Sequence, residues 1–203
     1  MEVKEPLSFG HCYHVYNRGN NSAPIFFEPE NYYYFLRLYA KYIHPIADTY
    51  AWCLLKNHFH FLIRVKEAAE IDVTKFTYSK HDKPKTIDAS RQFSHLFNAY
   101  TQSINKRYHR TGSLFESRFE RKLVDNQQYF NNLIYYIHHN PVHHGITHNA
   151  ILYPWSSYGT IISDQPTLLQ REAVLEAYGS KAAFVAYHGK EQDLSGIADW
   201  VIE

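Results

Sequence analysis

The chain of 203 residues has two cysteines, Cys12 and Cys53, one methionine, and no run of 18 apolar residues. Two thiols close at most one bridge, which excludes a disulfide framework and a four-thiolate zinc site. Without an apolar run of that length there is no candidate membrane-spanning helix, and the first six residues hold no apolar stretch that would serve as a signal peptide. The expectation is a cytoplasmic protein in a reducing compartment. Net charge is lacking too: 21 Lys and Arg stand against 20 Asp and Glu, for +1. Such a chain has no whole-molecule field, so any attraction for nucleic acid has to be local. No Gly-rich phosphate loop, Ser-His-Asp order, carboxylate-rich metal motif or internal repeat occurs. What the chain does have is rings, with 18 Tyr, 13 Phe and 14 His, and a hydrophobic share of 45%. That content excludes intrinsic disorder and gives a single domain of this length ample material for a core.

Periodicity organises the chain. Residues 12–17 (Cys-Tyr-His-Val-Tyr-Asn) are aromatic and β-branched and read as a strand, followed by turn formers. A helix is predicted from Pro29 to about Ile43, with Tyr32, Phe35, Leu36 and Tyr39 at helical spacing. Residues 49–55 and 58–65 read as a hairpin around Lys56-Asn57, whose Asn tolerates positive φ. Residues 66–88, polar and interrupted by Pro84, are a long connection with at most one turn of structure. A second helix is predicted over 89–108, striped by Phe93, Leu96, Phe97, Tyr100 and Ile104, then one or two short strands in 114–124. Asp125, with Gln128 three residues on, opens a third helix that Pro141 closes. The order β, α, β, β, α, β, α fits an α+β, ferredoxin-like (RRM-like) antiparallel sheet with helices on one face. Residues 164–203 carry three Lys or Arg against seven Asp or Glu, a balance of −4, and read as an acidic C-terminal helical extension.

Alternation in 58–65 puts His58, His60, Leu62 and Arg64 on one face and Phe59, Phe61, Ile63 and Val65 on the other. The second face is core. Two histidines one step apart are roughly 7 Å apart at the backbone, from two rises of ~3.3 Å, and their imidazoles can converge on one ion. Two unrelated surface histidines give the same spacing in a chain this rich in them. In the third helix Phe130, Leu133, Ile134 and Ile137 form the buried face, and Tyr136 and Asn140, four apart, share a stripe at its border. Tyr135 points about 100° away. A tyrosine at a helix flank is ordinarily packing with its hydroxyl in water. Between Ile104 and Lys122 the balance is +4, from Lys106, Arg107, Arg110, Arg118, Arg121 and Lys122, interleaved with Tyr108, Phe115 and Phe119. Cations among flat rings suit phosphates and unstacked bases, and a solvated helix end looks the same. Asn17 and Arg18, after the first strand, would place a guanidinium beside the sheet face or simply form a turn.

Five blocks carry a resemblance: His14-Val15-Tyr16-Asn17-Arg18-Gly19, Asn57-His58-Phe59-His60, Gly112-Ser113-Leu114-Phe115-Glu116-Ser117-Arg118-Phe119, Tyr136-Ile137-His138-His139-Asn140-Pro141-Val142 and Tyr153-Pro154-Trp155-Ser156-Ser157-Tyr158. In kind and order they resemble the HUH single-strand endonucleases, specifically the REP-associated tyrosine transposases, over residues 8 to 160. The resemblance implies a nuclease domain in 1–160, with 161–203 as the acidic extension. It implies that His58 and His60 are the metal-binding pair, Tyr136 the nucleophile and Asn140 the polar residue that completes the metal site, with Mg2+ or Mn2+ as cofactor. Asn17, Arg18 and the six basic residues of 106–122 are the expected nucleic-acid contacts.

The function so implied is a metal-dependent single-strand DNA endonuclease and strand transferase that cleaves at or beside a hairpin through a 5′-phosphotyrosine, in a prokaryotic cytoplasm, as monomer or homodimer. Two other classes fit the residues read alone. One is a non-catalytic binder of structured nucleic acid on a ferredoxin-like sheet. The other is a metal hydrolase of a small substrate, with Tyr136 as packing.

Overall fold

The computed structural model describes residues 6–76, 87–116 and 118–194. Residues 77–86 of the long connection with Pro84, Ser117 of the third block, and 195–203 of the acidic tail lie outside them. Strands β1 (Cys12–Arg18), β2 (Ala47–Leu54), β3 (His58–Val65) and β4 (Glu120–Val124) form one open antiparallel sheet in the order β2-β3-β1-β4. Helix α1 (Pro29–Tyr42) follows β1 and α2 (Ala89–Arg107) follows β3, so the ferredoxin-like α+β expectation holds. Beyond β4 come α3 (Gln127–His143), α4 (Tyr158–Ile162), α5 (Arg171–Ala177) and α6 (Lys181–His188).

Local chemistry accounts for the helix starts. Pro29 opens α1, and Asn31 Oδ1 accepts from the Glu28 and Phe27 N–H groups. Asp88 caps α2 by accepting from Ser90 N at 2.8 Å. For α3 the cap is Asn126, which accepts from Tyr129 N at 2.8 Å, one residue later than the Asp125 start expected from sequence. Nor does Pro141 close α3, because the helix runs to His143. So near the end a proline forfeits one hydrogen bond and little else, and the Pro141 carbonyl accepts from Ile146 N at 2.9 Å. Asn57 is not among the residues at positive φ, and the β2-β3 turn is held instead by the Lys56 and Asn57 carbonyls, which accept from Ile25, Phe26 and Gly19. In the 114–124 stretch one strand forms, and Phe115 adds a single bridge to Gly19. The described part of the long connection holds two short 3-10 turns.

One face of the sheet, bearing Tyr13, Val15, Phe59, Phe61, Ile63 and Val65, packs on α1 and α2 through Phe35, Tyr39, Phe93, Phe97 and Tyr100. Tyr39 stacks on Phe61 at 4.2 Å between centroids. Each such buried ring contributes roughly 1.5–3 kcal/mol of transfer free energy. The expectation of helices on one face fits α1 and α2. Helix α3 lies across the other face, where Leu133, Ile134, Tyr136 and Ile137 meet Ala51, Cys53, Leu62 and Val124. Its apolar stripe is what a second exposed sheet face needs for cover. Leu169, Val174 and Phe184, from the segment after Asp164, join the same cluster. That segment and the one before it also close the edge strand β2: Leu54 N donates to Trp155 O, Ser157 N to Trp52 O and Gln170 N to Thr49 O.

Candidate functional site

In the β1-β3 register Tyr16 lies opposite His60, His14 opposite Leu62 and Arg18 opposite His58. Period two then puts His14, Tyr16, His58 and His60 on the face that α3 covers. The rings of His58 and His60 stand 5.3 Å apart, edge to face. His58 Nε2 is 2.9 Å from Asn140 Oδ1 on α3, and the Tyr136 ring is 5.5 Å from that of His60. Thus the four residues singled out from sequence, His58, His60, Tyr136 and Asn140, meet within one chain. They are more buried than a helix border and a polar strand face suggest, at 5%, 0%, 2% and 1% exposed. The reason is α3, which turns that sheet face into a second interior. The reading that puts the core on the Phe59, Phe61, Ile63 and Val65 face alone is corrected by the same observation, since both histidines are buried too. Tyr135 points elsewhere, stacking on His139 at 3.9 Å and lying against Tyr187 and His188.

Burial holds both histidines neutral. Desolvation pushes His58 down to about 4 and His60 well below the ordinary imidazole value, with neighbouring His14 and His58 adding to the effect on His60. Neutral imidazoles have a lone pair to give. Both nitrogens of His58 face amide oxygens, Nδ1 that of Asn57 at 2.8 Å and Nε2 that of Asn140 at 2.9 Å. A neutral ring has one N–H, so one nitrogen lone pair points at an oxygen lone pair, unless the Asn140 amide is turned or a cation lies between them. His60 Nε2 and Asn140 Nδ2 are buried without hydrogen-bond partners among the described residues. Among the described residues no group of three or more His, Cys, Asp and Glu forms a metal-ligand cluster. Two imidazoles and an amide oxygen nevertheless fit one divalent ion that keeps open positions for substrate oxygens.

The basic residues are dispersed by the fold. Arg107 is paired with Glu28 at 2.6 Å, and the Arg110 guanidinium lies over the Phe27 ring at 6.0 Å, both at the α2 end. Arg121 points to the α1-α2 side, donating to Ser90 Oγ at 2.7 Å and sitting over Phe119 at 4.3 Å. Lys122 lies opposite His14, on the histidine face, and Lys106 is exposed. Asn17, Arg18 and Arg118 line a cavity of about 220 Å³ with Tyr16, Glu116 and Glu120, where Arg18 is held by Glu116 at 2.7 Å.

Two features were not read from the sequence. His14, fully buried, places Nε2 2.9 Å from His60 Nδ1. A second histidine group lies behind α3. Trp52 N–H donates to Ser157 Oγ at 2.9 Å, and that hydroxyl meets His138 Nε2 at 2.8 Å. His138 Nδ1 meets His188 Nε2 at 3.0 Å, and His188 Nδ1–H donates to the Phe184 carbonyl at 2.9 Å. The carbonyl at one end sets every proton along the chain, which ties β2, α3 and α6 together. The signal for His14 is its parity with Tyr16 on β1, which becomes informative once the partner strand is known.

No family model matches the chain. A curated relative from Haemophilus influenzae that carries the name REP-associated tyrosine transposase is 26% identical over 116 residues, 57% of this chain. The matched span is 61% of that relative's length. A solved structure, a REP-associated tyrosine transposase bound to a REP hairpin, superposes with a TM-score of 0.61 over 82% of this chain and 88% of that one. At 16% identity this second likeness carries the fold. Both relatives bear the name of the family that the five sequence blocks resemble. Among the described residues no helix is long and apolar enough to cross a membrane.

Proposed function

From this likeness to the REP-associated tyrosine transposases we propose that the chain is a metal-dependent single-strand DNA endonuclease and strand transferase acting at or beside a DNA hairpin, with Tyr136 as nucleophile. The observation that carries the reading is the meeting of Tyr136, His58, His60 and Asn140 in one chain, with His60 Nε2 and Asn140 Nδ2 buried and, among the described residues, without partners.

Tyr136 Oη attacks the phosphorus of the scissile phosphodiester, a P–Oη bond forms, and the P–O3′ bond breaks. The phosphate stays on the tyrosine as a 5′-phosphotyrosine, and the leaving 3′ oxygen gains a proton equivalent to the one the phenol gives up. Free phenol is only about one part in a thousand phenolate at pH 7, so the site has to favour the charged oxygen as it forms. A magnesium or manganese ion on His58, His60 and Asn140 would supply Lewis-acid stabilisation of the charge on the phosphate. His58 and His60 stay neutral and offer lone pairs. The covalent link conserves the bond, so a second 3′-hydroxyl can reverse the step and join a new strand. His144, 4.9 Å from His58, and His143, 6.0 Å from Tyr136, are exposed rings beside the site.

The test is a labelled hairpin oligonucleotide with a single-stranded flank, incubated with the protein and Mn2+ and run on a denaturing gel. A covalent adduct with release of a free 3′-hydroxyl fragment is expected. Retention of DNA without adduct would leave a binding module, the reading favoured by treating Tyr136, 2% exposed, as core packing.

A further inference from the structure

We propose that His14 is a positioning residue for His60: it accepts the His60 Nδ1–H and so leaves His60 Nε2 as a lone pair for a cation. This rests on the metal reading above and adds a residue to it. His14 Nε2 and His60 Nδ1 are 2.9 Å apart, a hydrogen bond between two side chains that are both 0% exposed. The ring centroids are 5.1 Å apart with planes 23° from parallel, so the two rings lie edge to edge along the hydrogen bond, which orients the His60 ring.

The bond can be made in two ways. In one, His14 donates from Nε2 and His60 carries its proton on Nε2, which blocks that nitrogen as a ligand. In the other, His60 donates from Nδ1, His14 accepts, and His60 Nε2 is free. An ion at Nε2 is compatible with the second alone, and it needs an acceptor at the position of His14 Nε2. The loose ends agree with a pair able to adopt either arrangement, because His60 Nε2 and His14 Nδ1 are the two ring nitrogens without partners. Among the described residues nothing else holds His60 Nδ1, whereas His58 is steadied by Asn57 and Asn140. Outer hydrogen bonds of this kind orient metal-bound imidazoles and set their basicity, and losing one typically weakens metal binding 10- to 100-fold.

The experiment is calorimetric titration of Mn2+ into wild type, His14→Phe and His14→Gln, with 15N NMR of the histidine rings in Mg2+-saturated protein. His14→Phe keeps an aromatic ring beside His60 and removes the acceptor; affinity should fall roughly 10- to 100-fold. His14→Gln restores an oxygen acceptor and should recover most of the loss. In wild type with Mg2+, His60 should be protonated at Nδ1 and not at Nε2. Equal Mn2+ affinity in wild type and His14→Phe, or a His60 proton on Nε2 in the Mg2+ form, overturns the role of His14 and leaves the metal reading standing. If wild type takes up neither ion, the metal reading falls and this inference falls with it. Should His14→Phe fail to fold, the wild-type ring protonation and the His14→Gln affinity decide the matter.

Discussion

Two buried histidine groups lie on the same side of the sheet and use their nitrogens differently. In the group of His138 and His188 every ring nitrogen has a partner, from Trp52 N–H through Ser157 to the Phe184 carbonyl. In the group of His14, His58 and His60, with Asn140, three nitrogens have none among the described residues: His14 Nδ1, His60 Nε2 and Asn140 Nδ2. Burial is similar, so the hydrophobic contribution does not separate them. A complete chain fixes the packing of α6 and the strand edge against α3. An incomplete one gains when something arrives to fill it, since an unsatisfied buried polar group costs about 1–3 kcal/mol.

The largest effect expected from this contrast concerns the two adjacent tyrosines. Tyr136 faces the incomplete group and Tyr135 packs against His139 and His188. Tyr136→Phe should lower adduct formation by about three orders of magnitude or more, while Tyr135→Phe keeps it, as measured by gel quantification. The reverse result would move the chemistry to the wrong histidine group and sink the comparison.

Next in size is the exchange of metal loss for stability loss. His60→Ala should abolish Mn2+ uptake by titration. His138→Ala should leave uptake in the folded protein intact but cost roughly 2–4 kcal/mol in urea unfolding, from a cavity and two stranded partners, Ser157 Oγ and His188 Nε2. A His138→Ala protein as stable as wild type would show that the closed chain holds nothing together.

A smaller and shared effect is acid sensitivity. Desolvation lowers His14 and His188 to about 3, and His60 and His138 well below the ordinary value of 6.5. As pH falls the unfolded chain takes up protons at these rings before the folded one does. Their contribution is therefore whole above about pH 6.5 and drains away toward pH 3. Melting temperature should drop by roughly 5 °C or more between pH 7 and pH 4, and Mn2+ should steepen the fall, because protons and metal compete for the first group. A flat profile would mean that the rings are solvated.

The smallest effect separates front from back among the basic residues. Arg118, in the cavity beside Tyr16, is exposed, whereas Arg121 is turned toward Ser90. Arg118→Ala should flatten the salt dependence of single-strand binding by about 0.7 log units of slope, with Arg121→Ala close to wild type. Equal slopes for the two would place the DNA path elsewhere.

Much of the site was legible in the sequence because it depends on local periodicity. The alternation of β3 assigns His58 and His60 to one face, and the four-residue step assigns Tyr136 and Asn140 to one stripe, wherever those elements end up. The stripe of α2 was legible for the same reason: Phe93, Leu96, Phe97, Tyr100 and Ile104 are all buried. The directions of the basic residues were not legible, because a continuous charge count says nothing of direction: the fold sends Arg107 to Glu28, Arg121 behind the sheet and Lys122 in front of it.

By itself, then, the sequence determined which elements form, which residues share a face of each, and which family the blocks resemble. Only the tertiary structure decided that α3 closes over the histidine face, that His14 reaches His60 across 46 residues, and that Asn140 reaches His58 across 82. The physical reason is range: the helical and extended periods are fixed by backbone geometry within a few residues. Strand register and helix docking, by contrast, are fixed by the collective burial of side chains that are far apart in the chain.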